Sequence, residues 1–107
     1  MIYDANIIDI IGERKDGGIE LYVISAGAFD DSSEQQTLLL DKIENYLAYI
    51  NSNQFGEDFP SISKDNKWII LELDEKPSQL FMNLCEKIND WIKENDVNFS
   101  LRITNRK

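Results

Sequence analysis

The sequence contains no histidine and only one cysteine, Cys85, among its 107 residues. Without histidine it lacks the commonest general base and transition-metal ligand, which excludes Ser-His-Asp and Cys-His catalysis and histidine-containing zinc sites. One cysteine allows neither an internal disulfide nor a zinc site of four cysteines. Cys85 lies on the apolar stripe of a predicted helix, where a thiol behaves as a small apolar side chain. These absences favour a protein that is not an enzyme and uses no cofactor.

Long apolar runs and positive charge are also scarce. No run approaches the roughly 18 apolar residues of a membrane span, and the opening MIYDANIIDI lacks the basic start of a signal peptide. We therefore expect a cytoplasmic protein. The chain has 20 acidic and 11 basic side chains, a net charge of −9. This charge opposes binding to nucleic acid and to anionic membranes, and it favours a basic partner or simply solubility.

The negative charge is concentrated in one part of the chain. Residues 1–66 carry 13 acidic and 4 basic side chains, whereas residues 67–107 carry 7 of each. With 42% hydrophobic and 29% charged residues, the composition is that of a folded globular protein. We predict a single domain over residues 1–107.

The first half of the sequence predicts a β-hairpin followed by a long helix. Two runs rich in Ile, Val and Tyr flank the turn sequence KDGG. The helix should run to about Ser52, with Asn53 as a left-handed stop residue. Its apolar positions recur with helical spacing and predict a core stripe: Leu39, Ile43, Tyr46, Leu47 and Ile50.

The second half predicts a loop, a strand, a helix and a final strand. Residues 54–66 form the only long predicted loop, and its large apolar residues indicate that it packs back onto the domain. KWIILEL suits a central strand, and VNFSLRI alternates as a half-exposed strand. We predict an α+β fold, a two-layer sandwich of a four-stranded mixed sheet and two helices, in the order β-β-α-β-α-β. Both helices should cover the same sheet face.

The opposite sheet face is more apolar than a solvated face should be. It is expected to carry Tyr22, Ile24, Trp68 and Ile70. Either the loop at 54–66 or a partner should cover it, and a second copy of the chain is one such partner. A homodimer through this face or through a sheet edge is therefore an open possibility.

Acidic and aromatic residues around the first helix are the candidate partner-binding residues. Aromatic side chains are enriched at binding hot spots, although they also suit a core and its covering loop. The acids before the helix also suit a helix N-terminus. The candidates are Asp30, Asp31, Glu34, Tyr49, Phe55, Glu57, Asp58 and Phe59.

Two functions of different classes follow from these residues. The first is a non-enzymatic acidic binding module that neutralises or regulates a basic protein, with association steered by charge. The alternative is a carboxylate-based enzyme or small-ligand binder that uses magnesium or calcium. It would require several acids to converge in one pocket, drawn from Asp9, Asp30, Asp31, Glu34, Glu72 and Asp74.

Two motifs resemble those of a family of small uncharacterised bacterial proteins. They are NIIDIIG near the start, and LLLDKIENYLAYINSNQF followed by a proline, with a strand closing into FDD between them. The resemblance covers roughly residues 5–60 well and the second helix and last strand more loosely. Where that family usually has a Trp and a His before the first helix, this chain has Phe29 and no histidine. The resemblance implies bacterial origin and this order of elements. It carries over no catalytic residues, because the family is a domain of unknown function.

Overall fold

The structure is a computed structural model that describes residues 8–25 and 33–104. Within these ranges the chain forms four strands and three helices. They are β1 (Ile10–Glu13), β2 (Ile19–Ser25), α1 (Ser33–Ile50), α2 (Asn53–Asp58), β3 (Lys67–Leu73), α3 (Gln79–Lys93) and β4 (Asn98–Ile103). None of the described helices is long and apolar enough to cross a membrane.

The four strands form one mixed sheet in the order β1-β2-β3-β4. β1 and β2 pair antiparallel, whereas β2–β3 and β3–β4 pair parallel. The KDGG turn joins the hairpin strands, and Gly17 adopts φ 92°, a conformation that favours glycine. The Gly18 N–H donates to Asp16 Oδ1 at 3.1 Å and fixes the turn. The predicted α+β class and mixed four-stranded sheet are confirmed.

One face of the sheet forms the core with the helices. Alternate residues of β2 and β3 on this face are buried against the apolar stripes of α1 and α3. A single apolar cluster contains residues of both long helices, so the prediction that both cover the same face is confirmed. The strand residues of this cluster are Ile19, Leu21, Val23, Ile69, Leu71 and Leu73.

The opposite sheet face is covered at its centre by polar side chains. Arg102 on β4 reaches over β3 and donates from a terminal guanidinium nitrogen to the Tyr22 hydroxyl on β2 at 2.8 Å. Tyr22 in turn donates to Glu20 at 2.8 Å. Ile70 lies on β3 between these strands and is only 1% exposed. The 54–66 segment does not cover this face, because Phe55, Phe59 and Ile62 pack against the helical core instead.

The segment after α1 differs from its prediction. A third helix, α2, forms where a loop was expected, and α1 ends at Ile50. The expectation that Asn53 is a left-handed stop is wrong, since Asn53 is the first residue of α2. Ser52 is the N-cap and accepts the Phe55 N–H at 3.3 Å. The cap and the buried Phe55 ring allow a six-residue helix that is too short to produce a periodic pattern.

Candidate functional site

Every exposed charged side chain of α1 and α2 is acidic. Residues 33–63 contain one basic side chain, Lys42, and that side chain is fully buried. The segment therefore presents negative charge to solvent without a compensating exposed cation. Its exposed carboxylates are Glu34, Asp41, Glu44, Glu57 and Asp58. We call this surface the acidic face.

Lys42 points inward and pairs with Asp9, on the segment that leads into β1. The Lys42 ammonium lies 2.8 Å from Asp9 Oδ1, and Lys42 is 0% exposed. The other carboxylate oxygen, Oδ2, accepts the Ile24 N–H at 3.0 Å. Burial acts to raise the pKa of Asp9, but the bonds from Lys42 and Ile24 and the lysine charge hold it below its ordinary value. Lys42, the only basic residue of α1, therefore neutralises the buried Asp9 carboxylate and adds no positive charge to the surface.

Tyr46 completes this buried polar cluster. Its hydroxyl donates to the Tyr22 carbonyl oxygen and accepts the Asp9 N–H at 2.9 Å. The Lys42 ammonium lies 5.9 Å from the centre of the Tyr46 ring. Burial raises the pKa of the Tyr46 hydroxyl well above its ordinary value, so it stays protonated as a donor. The cluster connects α1, β2 and the segment that leads into β1.

The second part of the acidic face is held in place by one hydrogen bond between α1 and α2 and by a second one within α2. The Tyr49 hydroxyl donates to Asp58 Oδ2 at 2.6 Å, and Gln54 Nε2 donates to Oδ1 at 2.8 Å. These two bonds hold the pKa of Asp58 below its ordinary value. Burial and the bond to Asp58 raise the pKa of Tyr49 to about 12. Asp58 is therefore an ionised and positioned carboxylate at neutral pH.

Three aromatic rings support this carboxylate. The Phe55 ring packs edge-on to Tyr49 with centroids 5.5 Å apart, and its centroid lies 5.4 Å from that of Phe59. Phe55 is only 6% exposed, whereas Tyr49 and Phe59 are half-buried. Among the predicted partner-binding aromatics, Tyr49 and Phe59 therefore reach the surface, and Phe55 lies beneath them as part of the core.

The predicted site residues are brought together only in part. Tyr49, Phe55, Asp58 and Phe59 form one cluster, and Glu57 is exposed beside it. Glu34 lies exposed at the other end, in the first turn of α1. Asp30 and Asp31 lie outside the described residues. The acidic face thus joins the predicted α2 cluster to Glu34 through Asp41 and Glu44, which were not among the predicted residues.

The carboxylates proposed for a magnesium or calcium site do not converge within the described chain. No group of three acidic or cysteine side chains there could hold a metal ion. Asp9 is engaged with Lys42, Glu72 lies within β3, and Asp74 directly follows that strand. Asp30 and Asp31 again lie outside the described ranges.

Two open surface cavities are lined by charged side chains of both signs. One has a volume of about 490 Å³ and lies between the turn before β3 and the end of α3. The other, of about 470 Å³, lies beside the hairpin turn and Arg102. Each is lined by both acidic and basic side chains, so neither singles out a ligand of one charge.

Lys42 is the residue that the sequence analysis missed. It lies three positions after Leu39 and four before Tyr46, so helical spacing alone places it on the buried stripe. A second signal is Asp9, the one charged residue in the apolar run NIIDIIG. A lysine and an aspartate that both occur at core positions indicate a buried ion pair, because a buried charge requires a partner.

Comparisons with known proteins identify the family. Searches of curated proteins and of solved structures found no match. A family model described as a family of unknown function, DUF6572, matches residues 1–105. The resemblance noted from the motifs is consistent with this match. The chain therefore belongs to the DUF6572 family.

Proposed function

We propose that this protein is a non-enzymatic binding module whose acidic face meets a basic surface on a protein partner. The observation that carries the proposal is the one-sided charge of residues 33–63, where five carboxylates face solvent and the only lysine is buried. Four of these carboxylates, Glu34, Asp41, Glu44 and Glu57, have no hydrogen bond or ion pair within the described chain. An external cation would give them the partner that the described residues do not supply.

The region around Tyr49, Asp58 and Phe59 adds partly exposed aromatic rings and a fixed carboxylate to this charged surface. Binding hot spots combine aromatic area with positioned polar groups and exclude water around them. Asp58 is held by two hydrogen bonds, and the half-buried Tyr49 and Phe59 rings flank it. We propose that this region gives specificity, while Glu34, Asp41 and Glu44 steer the approach. By sequence, Asp30 and Asp31 extend the same charge.

The proposal places the protein in the cytoplasm of a bacterium, where its single cysteine stays reduced. The partner is a basic protein rather than nucleic acid or an anionic membrane, since both of those would be repelled by the acidic face. The module acts by occupying its partner's basic surface, and no bond is made or broken.

Two charge-reversal variants test this assignment. The variant Asp41→Lys/Glu44→Lys reverses two carboxylates of the acidic face, and Glu86→Lys/Asp90→Lys makes the same change on the exposed side of α3. Both variants raise the net charge by four units, so they differ only in where the charge lies. Each tagged protein is incubated with lysate of the source organism at low salt, and bound proteins are eluted with a salt ramp.

We expect wild type and the α3 variant to retain one and the same basic protein, released sharply by salt, and the α1 variant to lose it. Loss of that protein from both variants alike would contradict the proposal, because it would mean that net charge and not the acidic face is recognised. Retention by the α1 variant would contradict it as well. Circular dichroism spectra of both variants verify that each is folded.

A further inference from the structure

β4 is an edge strand with unsatisfied backbone groups. In the described part of the chain its only strand neighbour is β3. The Thr104 N–H donates to the Leu73 carbonyl at 2.8 Å, so by alternation the backbone groups of Asn98, Ser100 and Arg102 also point toward β3.

The intervening residues of β4, Phe99, Leu101 and Ile103, therefore direct their N–H and C=O groups away from the sheet. Within residues 8–25 and 33–104 these outward groups have no hydrogen-bond partner. They form a row of donors and acceptors along one side of the strand.

This edge lacks the usual protection against pairing. Edge strands are commonly kept short or carry outward charges, prolines or bulges. β4 is six residues long, contains no proline, and has one charged side chain, Arg102, which is turned over the sheet face to Tyr22. Ile103 is 38% exposed at its end. The opposite edge, β1, has only four residues and includes Gly12.

We propose that β4 pairs antiparallel with β4 of a second copy of the chain, around a two-fold axis at Leu101, to form a continuous eight-stranded sheet. In this register the outward groups of Phe99, Leu101 and Ile103 meet those of the second copy and form about six hydrogen bonds.

The side chains are self-complementary in the same register. On the helix-covered face Phe99 lies opposite the partner's Ile103, and Leu101 lies opposite the partner's Leu101. On the other face Arg102 lies opposite the partner's Ser100. Apolar residues thus meet apolar residues on one face and polar residues meet polar residues on the other. A shift of one residue in register would place apolar residues opposite polar ones.

The charge distribution favours an approach of two acidic chains through the half that contains this edge. Residues 67–107, which include β3, α3 and β4, carry 7 acidic and 7 basic side chains, whereas residues 1–66 have a balance of −9. α3 is the helix that packs against β4, whereas α1 packs against β2. Two copies joined at β4 therefore meet through their neutral halves and keep their acidic faces apart.

Sedimentation equilibrium tests the proposal with two matched variants. We expect wild type to have a mass of about 25 kDa, twice the 12.4 kDa of the chain. Ile103→Lys places a charge on the proposed interface and should give a monomer. Ile11→Lys makes the same change on β1 at a similarly exposed position, 41% against 38%, and should stay dimeric. A wild-type protein that is monomeric at about 1 mM, or an Ile103→Lys variant that stays dimeric, would overturn the proposal.

Cysteine cross-linking tests the register of the two strands directly. In Leu101→Cys the two new thiols lie on directly opposed residues with Cα atoms about 5.5 Å apart, which suits a disulfide. In Ile103→Cys the equivalent atoms lie about 13 Å apart along the strands, which is too far. Under mild oxidation we expect a covalent dimer for Leu101→Cys only, and none for wild type, whose Cys85 is buried. A covalent dimer for Ile103→Cys but not for Leu101→Cys would overturn the register.

Discussion

At the scale of single residues, the direction of Lys42 decides the charge of the whole α1 surface. If this side chain faced solvent, it would stand among Asp41 and Glu44 and offset part of their charge. Instead it is buried against Asp9, and the carboxylate is neutralised inside the domain. Replacing a buried ion pair by apolar residues is often neutral, but removing one partner is costly because a charge remains in the interior.

The first prediction concerns this pair. Lys42→Met takes from Asp9 the ammonium that lies 2.8 Å away, and we expect the free energy of unfolding to fall by about 3 kcal/mol. Lys87→Met on α3 removes an exposed cation and should change it by less than about 0.5 kcal/mol. Urea unfolding measures both. Equal effects of the two substitutions would show that the buried pair contributes nothing specific.

The second prediction concerns the pH dependence that Asp9 introduces. Its pKa is lower in the folded chain than the ordinary value of 3.8, so the folded state binds its proton less readily than the unfolded state does. The stabilisation is therefore complete above about pH 5 and is lost as the pH falls through the lower, folded-state pKa. We expect the difference in unfolding free energy between wild type and Asp9→Asn to be constant between about pH 5 and 7 and to shrink below about pH 4. A difference that grows on acidification would contradict this assignment.

At the scale of secondary structure, the elements that sequence patterns reveal are those with enough residues to show a period. β2 and β4 alternate, β3 is continuously apolar, and α1 and α3 repeat with helical spacing, so each was predictable. α2 was not, because six residues that include Gly56 carry no period and read as a loop. The formation of α2 depends on the Ser52 cap and on the burial of Phe55 in the core. The burial of Phe55 is a tertiary contact that the local sequence does not reveal.

The third prediction separates the supporting ring of α2 from the surface ring. Phe55→Ala should lower the free energy of unfolding by about 3 kcal/mol, because it removes a nearly buried ring and leaves a cavity. Tyr49→Phe keeps the ring and loses only the bond to Asp58, so it should cost less than about 1 kcal/mol. Thermal and urea unfolding of the two variants provide the comparison. A larger cost for Tyr49→Phe would contradict the view that Phe55 anchors α2.

At the scale of the whole molecule, the fold separates charge into two regions. The acidic helix α1 packs against β2 and is followed by the acidic α2, whereas the balanced half of the chain contains β3, β4 and the helix α3 that packs against β4. The sequence already showed this division along the chain. It did not show that the outward surface of α1 is free of cations, because that depends on a long-range contact between Lys42 and Asp9, 33 residues apart. Nor did it show that Arg102 donates a hydrogen bond to the Tyr22 hydroxyl, 80 residues away in the sequence.

We propose that the acidic face, and not the net charge of −9, recognises a basic partner. The most direct measurement is the association rate of the salt-eluted partner with three proteins across a range of ionic strength. They are wild type, Asp41→Lys/Glu44→Lys and Glu86→Lys/Asp90→Lys. We predict that wild type and the α3 variant associate fast at low salt and slow steeply as salt increases, whereas the α1 variant associates at least about tenfold more slowly at low salt. Equal slowing of both variants, or rates that do not depend on salt, would contradict the claim.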